Sequence, residues 1–479
     1  MFTSRNFAIS RLSGAWVARG AIAVAAACAF APAAFAAMPG PETAVLVPAA
    51  LSSEEPTTAA PAIAPTPRPT TELGSRIETA PGLAIAGERL NLGLLRRFYA
   101  AHGYEPVWTT RQAQANSLLQ AVLRAGDHGL DPNLFHAAAL QNASTLGQLD
   151  RELLLSDAFL SYADALARGI LPIERRMDDE DLMPEPIDIA AALDAAIGSP
   201  DPGAAIEALA PTTPTYRALR QALQSARSGG GDRAETTRLR QIEANLERQR
   251  WLPRQMPSER VWVNAADAKL TYFRGDLPIF TTRVIVGEAD KQSPELRATI
   301  DGVLFNPPWN VPYSIVSKEI MPKLSSDPGY LSKHHMTMRP GGGIQQSPPS
   351  ALGQIKFEMP NRHDVYLHDT PSRNLFARDN RRLSHGCIRV QNPRELASLL
   401  LRQPTEAVNS GIAGGATNRR NLPSPVSVFV VYQTAFVDTD GTLQFRADVY
   451  NRDSEIWPHL HSVRQAPVAE RDPVTQRRG

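Results

Sequence analysis

The stretch LSHGCIRV, residues 383–390, contains one of the two cysteines in this 479-residue chain. The other, Cys28, lies in an N-terminal segment that we predict to be removed, which leaves the mature protein a single thiol. Cys387 stands beside His385 and Gly386 in a polar stretch, whereas structural cysteines are usually buried among apolar neighbours. A lone cysteine with histidines nearby is a candidate nucleophile.

A nucleophilic cysteine needs a base, because a free thiol has a pKa of about 8.5 and is mostly protonated near neutrality. The segment DVYLHDT, residues 364–370, alternates apolar and polar residues as a β-strand does. Val365 and Leu367 then share one face, and Tyr366 and His368 share the other. His368 is therefore the candidate base, although the pattern alone fits a surface histidine on a sheet equally well.

His368 and the SHGC run at 384–387, separated by residues 369–383, resemble the signature of the L,D-transpeptidases. These are bacterial cell-wall cross-linking enzymes with a catalytic cysteine. The similarity points to the large periplasmic branch of the family, which carries a helical scaffold domain and a capping insertion. Position 389 is Arg where another branch has Asn, so the role of that Asn is not transferred. The resemblance extends through WNVP (309–312), LGQIKF (352–357), YLHDTP (366–371) and CIRV (387–390).

The N-terminus is typical of a secretory signal peptide. Basic residues precede an apolar, alanine-rich run at 21–37 that is too short for a convincing membrane span. The sequence AFA at 34–36 supplies a cleavage site, so we predict a signal peptide at 1–36, export to the periplasm and no membrane span in the mature chain. Lipidation at Cys28 is disfavoured, because Ala25 stands where a larger aliphatic residue is usual.

The region between the signal peptide and the strand-like part is predicted to be helical after a linker. Residues 37–87 are rich in Pro, Ala and Thr and are expected to be a disordered linker. Residues 88–224 follow helical spacing and resemble the scaffold domain of the same enzyme branch. Residues 225–256 are predicted to be a Gly-rich linker and a connecting helix. They leave no room for the small peptidoglycan-binding module that many members of the branch place there.

The period changes to that of strands near Val261. Runs at 268–273 and 279–286 flank a turn, as do runs at 426–436 and 443–449, and short paired strands of this kind suggest a β-sandwich. We expect an α+β multidomain protein, with the helical scaffold domain followed by a mainly-β catalytic domain. The segments of this last part are the catalytic domain at 257–465, a capping insertion at about 306–352 implied by the resemblance, and a disordered tail at 466–479.

The resemblance implies roles for residues around the thiol. Cys387 is the nucleophile and His368 the general base, whose pKa near 6.5 suits proton transfer around neutrality. The backbone carbonyl of Asp369 is expected to orient the imidazole, with the Asp369 side chain as an alternative. The amides of Gly386 and Cys387 are predicted to form an oxyanion hole. His385 is expected to support that hole or shape the pocket, with the base role as the less favoured alternative.

Candidate substrate contacts surround these residues. Several arginines follow His368 in the sequence, and Arg389 is the one expected to bind a stem-peptide carboxylate, because Arg recognises carboxylates bidentately. Tyr366 and Trp309 are further candidates. Ser384 is also a candidate, although we expect its hydroxyl to form hydrogen bonds mainly within the loop.

The implied activity is formation of 3→3 peptidoglycan cross-links from a donor and an acceptor stem peptide, with carbapenem-type β-lactams as inhibitors. One alternative is a carboxypeptidase-type cysteine hydrolase that acts on the same stem, and another is a catalytically silent wall-binding scaffold. No cofactor is expected. No metal is expected either, because His334, His335 and His363 lack the spacing of a recognised zinc site. With 50 basic and 49 acidic side chains, the chain shows no charge preference for nucleic acid.

Overall fold

The computed structural model describes residues 71–176, 182–228 and 233–461, and these all belong to one compact unit. The predicted signal peptide and the predicted C-terminal tail lie outside the described residues. Within the described ranges, every helix is too short or too polar to cross a membrane.

The N-terminal part is helical, as predicted. Leu155, Phe159, Tyr162 and Leu166 lie at helical spacing on its longest helix, and all four side chains are buried. The elements are α1 (Glu72–Thr79), β1 (Ala84–Ile85), β2 (Glu88–Arg89), α2 (Leu92–Ala101), α3 (Gln112–Leu123), α4 (Ala137–Gln141), α5 (Gln148–Arg168), α6 (Ile189–Ile197), α7 (Pro202–Glu207), α8 (Pro214–Arg227) and α9 (Arg233–Arg250), with 3₁₀ turns at Ala125–His128, Pro132–Phe135, Ala143–Thr145 and Ile173–Arg175.

The predicted disordered linker extends too far toward the C-terminus. Helix α1 begins at Glu72, and the hydroxyl of Thr71 caps it by accepting a hydrogen bond from the Gly74 amide. Leu73 and Ile77 are buried in the helical core. The prediction of disorder is therefore wrong for residues 71–87, because composition averaged over the linker hides one short amphipathic helix that folds only against its neighbours.

The second part is mainly β, which confirms the predicted fold class. Its elements, in chain order, are β3 (Glu259–Asn264), β4 (Lys269–Arg274), β5 (Leu277–Gly287), β6 (Leu296–Phe305), β7 (Trp309–Val311), α10 (Tyr313–Ile315), a π-helical turn (Val316–Ile320), α11 (Met321–Ser326), α12 (Tyr330–Lys333), β8 (Met336–Met338), β9 (Ile344–Gln346), β10 (Ile355–Glu358), β11 (Leu367–His368), a 3₁₀ turn (Arg373–Ala377), β12 (Arg382–Ser384), β13 (Ile388–Val390), α13 (Pro393–Leu401), α14 (Thr405–Ala413), β14 (Asn418–Val431), β15 (Ala435–Val437), β16 (Leu443–Phe445) and α15 (Asp453–His461).

The main sheet closes on itself, so the expected β-sandwich is wrong. Its strand order is β12-β5-β13-β11-β10-β6-β14-β3-β4, and β5 also pairs with β4. Strand β5 is long enough to serve both neighbours: its first part pairs with β4, while Val284 and Ile285 pair with β13. The short strands therefore build one barrel-like sheet rather than two packed sheets, and they enclose the core of this part.

The C-terminal hairpin packs on the helical part instead of extending the barrel. Strand β14 ends at Val431, and β15 and β16 form a separate two-stranded ladder. Ala435 is buried in the helical core, as are Ile456 and Leu460 of α15. The predicted catalytic domain at 257–465 therefore includes a segment that packs with the scaffold helices.

The predicted capping insertion has a fold of its own. Its three strands form a small sheet in the order β7-β9-β8. Val311, Val316, Ile320, Met336 and Ile344 are buried together beneath this sheet. The insertion is thus a small subdomain with an apolar centre rather than an irregular loop.

Candidate active site

Two adjacent strands bring the candidate base and nucleophile together. Strands β11 and β13 are parallel neighbours, with Leu367 opposite Ile388 and His368 opposite Arg389. His368 ends β11, and Cys387 immediately precedes β13. The Ile388 amide donates to the Tyr366 carbonyl at 3.0 Å, which fixes the position of the chain directly after the thiol.

The thiol of Cys387 is half-buried and lies against β11 rather than in solvent. Sγ is 3.9 Å from the Asp364 carbonyl oxygen. The Tyr366 hydroxyl lies within hydrogen-bonding reach of the thiol and of the Trp309 side chain on the capping subdomain. No hydrogen bond joins Cys387 to His368 in the described part of the chain, although the pairing of β11 with β13 brings their backbones to neighbouring positions of the sheet.

The surroundings of Cys387 favour the neutral thiol. Burial raises the pKa of Cys387, against the hydrogen bonds from Tyr366 and the positive charges of Lys356 and Arg389, which act to lower it. Burial also raises the pKa of Tyr366, and the nearby thiol adds to that effect. The phenol therefore stays protonated and can donate a hydrogen bond to the sulfur.

His368 is neutral in this site. Burial, followed by the positive charge of Arg389, lowers the pKa of His368 to about 3, although the backbone of Asp369 and that of Leu352 act to raise it. The ring is 4% exposed, and its Nδ1 makes no hydrogen bond of ordinary geometry in the described structure. A neutral imidazole has a free lone pair, which is the state that a base needs before it accepts a proton.

The Asp369 side chain has hydrogen-bond partners other than His368 among the described residues. Its Oδ2 accepts from the Gln354 amide at 2.9 Å, and its Oδ1 accepts from Arg373 at 2.7 Å. Gly353, at φ +67°, packs so closely on this carboxylate that a Cβ there would lie 2.5 Å from Oδ2. The carboxylate joins two loops, and the groups that act to raise the pKa of the imidazole are the backbones of Asp369 and Leu352.

Hydrogen bonds hold the loop around Cys387 from within. The Ser384 hydroxyl donates to the Cys387 carbonyl at 2.6 Å and accepts from the Gly386 amide at 3.2 Å. Ser293 donates to the Gly386 carbonyl at 2.7 Å. Gly386 has φ +110°, a conformation that side chains disfavour. Ser384 is buried and its hydroxyl forms the expected hydrogen bonds within the loop, while its contact with substrate stays a prediction.

The predicted two-amide oxyanion hole is only half available in this state. The Gly386 amide is occupied by Ser384, while the Cys387 amide makes no hydrogen bond to any described residue. The oxyanion hole stays a prediction, in which the Cys387 amide is the donor without a partner among the described residues. Use of the Gly386 amide would require Ser384 to release it.

His385 contacts the capping subdomain. Its Nε2 lies 2.6 Å from Oε1 of Glu319, on the π-helical turn, and 2.9 Å from Nζ of Lys291. The ring is exposed, whereas that of His368 is buried, and its hydrogen-bond partners among the described residues do not include the thiol. The Glu319 contact joins the capping subdomain to the cysteine loop.

Positive charge surrounds the thiol. Arg389 is half-buried and donates to the Leu383 carbonyl at 3.4 Å, and its charge acts on both Cys387 and His368. Nζ of Lys356 lies 4.4 Å from the ring centre of Tyr366. Lys356 was not predicted as a site residue, although it lies in the LGQIKF stretch. It stands on β10, directly opposite His368 of β11. Glu319, Lys291 and Ser293 were not predicted either, and no local signal exists for them.

A cavity of about 1110 Å³ lies beside the Asp369 loop. The base of the capping subdomain and helices α13 and α14 form its other walls. Arg373 and Arg394 line it, and the partners of Arg394 are the neutral side chains of Gln354 and Asn409. In the described ranges, no group of three or more His, Cys, Asp or Glu side chains could hold a metal ion.

Comparisons with known proteins agree with this architecture. Residues 93–223 match the scaffold domain, and residues 258–426 match the L,D-transpeptidase catalytic domain. A Haemophilus influenzae protein named "Putative L,D-transpeptidase" is 30% identical over 395 residues, which cover 76% of this chain and 78% of that protein.

Solved structures are more distant. An L,D-transpeptidase from Mycobacterium smegmatis is 13% identical, with a TM-score of 0.21 over 36% of this chain and 58% of its own. L,D-transpeptidase 1 of Mycobacterium tuberculosis is 14% identical, with a TM-score of 0.19 over 36% and 59%. The chain thus spans less than two thirds of the length of these structures. On the strength of the two matched domains and the Haemophilus influenzae relative, this chain belongs to the L,D-transpeptidase family.

Proposed function

We propose that this protein is an exported peptidoglycan L,D-transpeptidase that forms 3→3 cross-links through an acyl-enzyme on Cys387. The observation that carries the proposal is the pairing of β11 with β13, which sets a buried, neutral His368 beside the strand that follows the thiol. Family membership supports the reaction class. Acyl transfer by a thiol requires a nucleophilic cysteine and a base that accepts its proton, and Cys387 and His368 are the candidates for these two roles.

In the first half-reaction, Sγ of Cys387 attacks the amide carbonyl between the third residue of a donor tetrapeptide and its terminal D-Ala. His368 accepts the thiol proton as the C–S bond forms, because burial keeps both groups neutral beforehand. The Cys387 amide is the available donor for the developing oxyanion. The C–N bond then breaks, His368 returns the proton to the leaving amine, and D-Ala departs.

In the second half-reaction, the side-chain amine of a diaminopimelate residue on an acceptor stem attacks the thioester. His368 takes a proton from that amine, the C–S bond breaks, and the thiol is regenerated with the proton. Arg389 and Lys356 provide positive charge for stem carboxylates near the thiol, while Trp309 and Tyr366 provide aromatic surface. Arg373 and Arg394 provide positive charge for stem carboxylates in the adjoining cavity.

The experiment is to incubate the purified protein with a disaccharide-tetrapeptide, with and without an acceptor stem, and to separate the products by mass spectrometry. Dimers that appear with the acceptor support transpeptidation. A tripeptide product alone would favour the carboxypeptidase-type hydrolase, which uses the same acyl-enzyme with water in place of the amine. Wall binding without any product would favour the silent scaffold.

Inhibition and location follow from the same proposal. A carbapenem should open on the Cys387 thiol and leave a stable adduct, because the strained lactam amide is attacked as the donor amide is. The predicted signal peptide would deliver the protein to the periplasm, where its substrate lies. Fractionation of cells that express the full chain tests this directly, since a protein that is not exported would remain in the cytoplasm.

A further inference from the structure

A second cavity, of about 480 Å³, opens on the helical part between α3, α7 and α8. We propose that it binds an α-amino-carboxylate group, presented either by a free amino acid or by the diaminopimelate side chain of a stem peptide. The proposal rests on the proposed function only for the source of that group. The polar and charged residues that line this cavity are Ser117, Gln120, Arg124, Asp201, Glu207 and Arg220.

One side of this scaffold cavity is suited to a carboxylate. The guanidinium of Arg124 is exposed and makes no hydrogen bond to any residue that the structure describes. Arg220 is loosely held, with Nε 3.3 Å from the Asp127 carbonyl and Nη2 4.0 Å from Glu207. The Gln120 side chain is exposed and similarly unbonded in the described part. Two guanidinium groups with free donors are a recurrent way to bind a carboxylate.

The other side is suited to an ammonium group. The Asp201 carboxylate caps α7 through the Ala204 amide at 3.1 Å and accepts from the Ser117 hydroxyl. Glu207 uses Oε2 to contact His128 at 2.8 Å, while its Oε1 makes no hydrogen bond within the described ranges. Both carboxylates therefore have fixed partners, and Glu207, which lines the cavity, keeps Oε1 without a hydrogen bond to any described residue.

The combination of charges selects the class of ligand. The basic and acidic groups lie close to one another, since the charge of Arg124 acts on both Asp201 and Glu207 and Nη2 of Arg220 lies 4.0 Å from Glu207, so a singly charged ligand would meet charges of both signs. A group that carries both charges a few ångströms apart can satisfy both pairs. The volume lies within the range of about 300–1000 Å³ that is usual for small-ligand sites, so the cavity fits one amino-acid end group.

The acidic wall is preorganised by a buried network. His128 is fully buried and contacts Glu207 through Nε2 and the Tyr216 hydroxyl, at 2.7 Å, through Nδ1. Tyr216 in turn contacts Arg250, the last residue of α9, at 3.3 Å. Since α9 leads into the barrel, the wall of the scaffold cavity is tied to the entry of the catalytic part. A preformed wall reduces the ordering that binding would require.

The test uses the full chain carrying Cys387→Ala, which prevents turnover, in isothermal titration calorimetry. The probes are meso-diaminopimelate, D-alanine and a disaccharide-tetrapeptide, with acetate and ethylamine as singly charged controls. Arg124→Gln should weaken binding of the zwitterionic probes roughly tenfold, because a charge-assisted contact is lost. Arg217→Gln is the matched control, since Arg217 is an exposed arginine on α8 that does not line the cavity.

Tighter binding of the tetrapeptide than of D-alanine would assign the cavity to stem peptides, and equal binding would assign it to free amino acids. The proposal is overturned if acetate binds as well as the zwitterions, or if Arg124→Gln leaves all affinities unchanged. These outcomes are separate from the proposed function, which is read from cross-linking by the chain with Cys387 intact. A protein that binds zwitterions without cross-linking would retain this inference and lose the other.

Discussion

Two histidines, one in each part of the molecule, are equally buried, yet their pKa values are shifted in opposite directions. His136 in the helical part and His368 in the barrel are both 4% exposed. The pKa of His136 is raised: burial lowers it, but Asp157 at 2.7 Å and Glu88 at 3.0 Å outweigh burial. The pKa of His368 falls to about 3, because burial is joined by the positive charge of Arg389 and no carboxylate of a described residue forms a hydrogen bond with the ring. Neighbouring charge, rather than burial, separates a structural histidine from a candidate base.

The largest expected effect is on catalysis at His368. His368→Ala should lower the rate of Cys387 acylation by about 10²–10⁴-fold, which is the usual contribution of a general base. His136→Ala is the matched control and should leave the rate per folded molecule unchanged. Stopped-flow acylation by a carbapenem measures both. Equal loss in the two variants would remove the distinction between them.

At His136 the expected effect is on the stability of the fold and not on the acylation rate. His136→Ala leaves Asp157 buried without its partner and should lower the free energy of unfolding by roughly 3–5 kcal/mol. Because the folded pKa of His136 is raised, the contribution of this histidine to the free energy of unfolding is complete below about pH 6.5 and is lost as pH rises through the folded pKa.

The folded pKa of His368 is lowered, so the wild type should lose stability as pH falls from about 6.5 toward 3.

Denaturant titrations of the two alanine variants across this pH range check the signs. Loss of His136 should flatten the pH dependence at the alkaline end, whereas loss of His368 should flatten it at the acidic end. Identical pH profiles for the two variants would contradict the assigned pKa directions.

A smaller effect is expected at Tyr366. The hydrogen bond from its hydroxyl opposes the burial that raises the pKa of Cys387. Tyr366→Phe should therefore raise the midpoint of Cys387 alkylation by up to about one pH unit above that of the wild type. Tyr330→Phe is the control, since Tyr330 packs inside the capping subdomain. A midpoint that falls in Tyr366→Phe would mean that the phenol destabilises the thiolate.

The smallest expected effect concerns the contact between His385 and Glu319. Glu319→Gln weakens this exposed pair by roughly 1 kcal/mol at most, so alkylation of Cys387 by bulky reagents should increase only a few-fold. Asp327→Asn disrupts a pair within the capping subdomain and serves as the control. If Glu319→Gln slows the reaction with bulky reagents, the pair does not hold the subdomain over the site.

Hydrophobic periodicity and turn residues in the sequence predicted those elements of secondary structure that depend on neighbouring residues alone. The helices, the β4–β5 hairpin and the strand that ends at His368 follow from periodicity and turns. Closure of the barrel depends on β5 pairing on both sides, which no local period reveals. Docking of Ala435 on the helical core is equally non-local.

The candidate site also has features that the local motif predicts and features that depend on distant residues. The motif around Cys387 indicated its residues, whose catalytic roles stay predictions. The motif could not show that the Gly386 amide is occupied by Ser384, or that His385 contacts Glu319, because those partners come from the folded loop and from a distant segment. The unpaired Nδ1 of His368 is likewise a property of packing.

The central claim is that Cys387 carries the acyl group of a donor stem. The most direct measurement is intact-protein and peptide mass spectrometry after brief exposure to a disaccharide-tetrapeptide. We predict an adduct on Cys387 with the mass of the donor less D-Ala, absent in Cys387→Ala and discharged when an acceptor amine is added. An adduct on another residue, or turnover that persists in Cys387→Ala, would contradict the account.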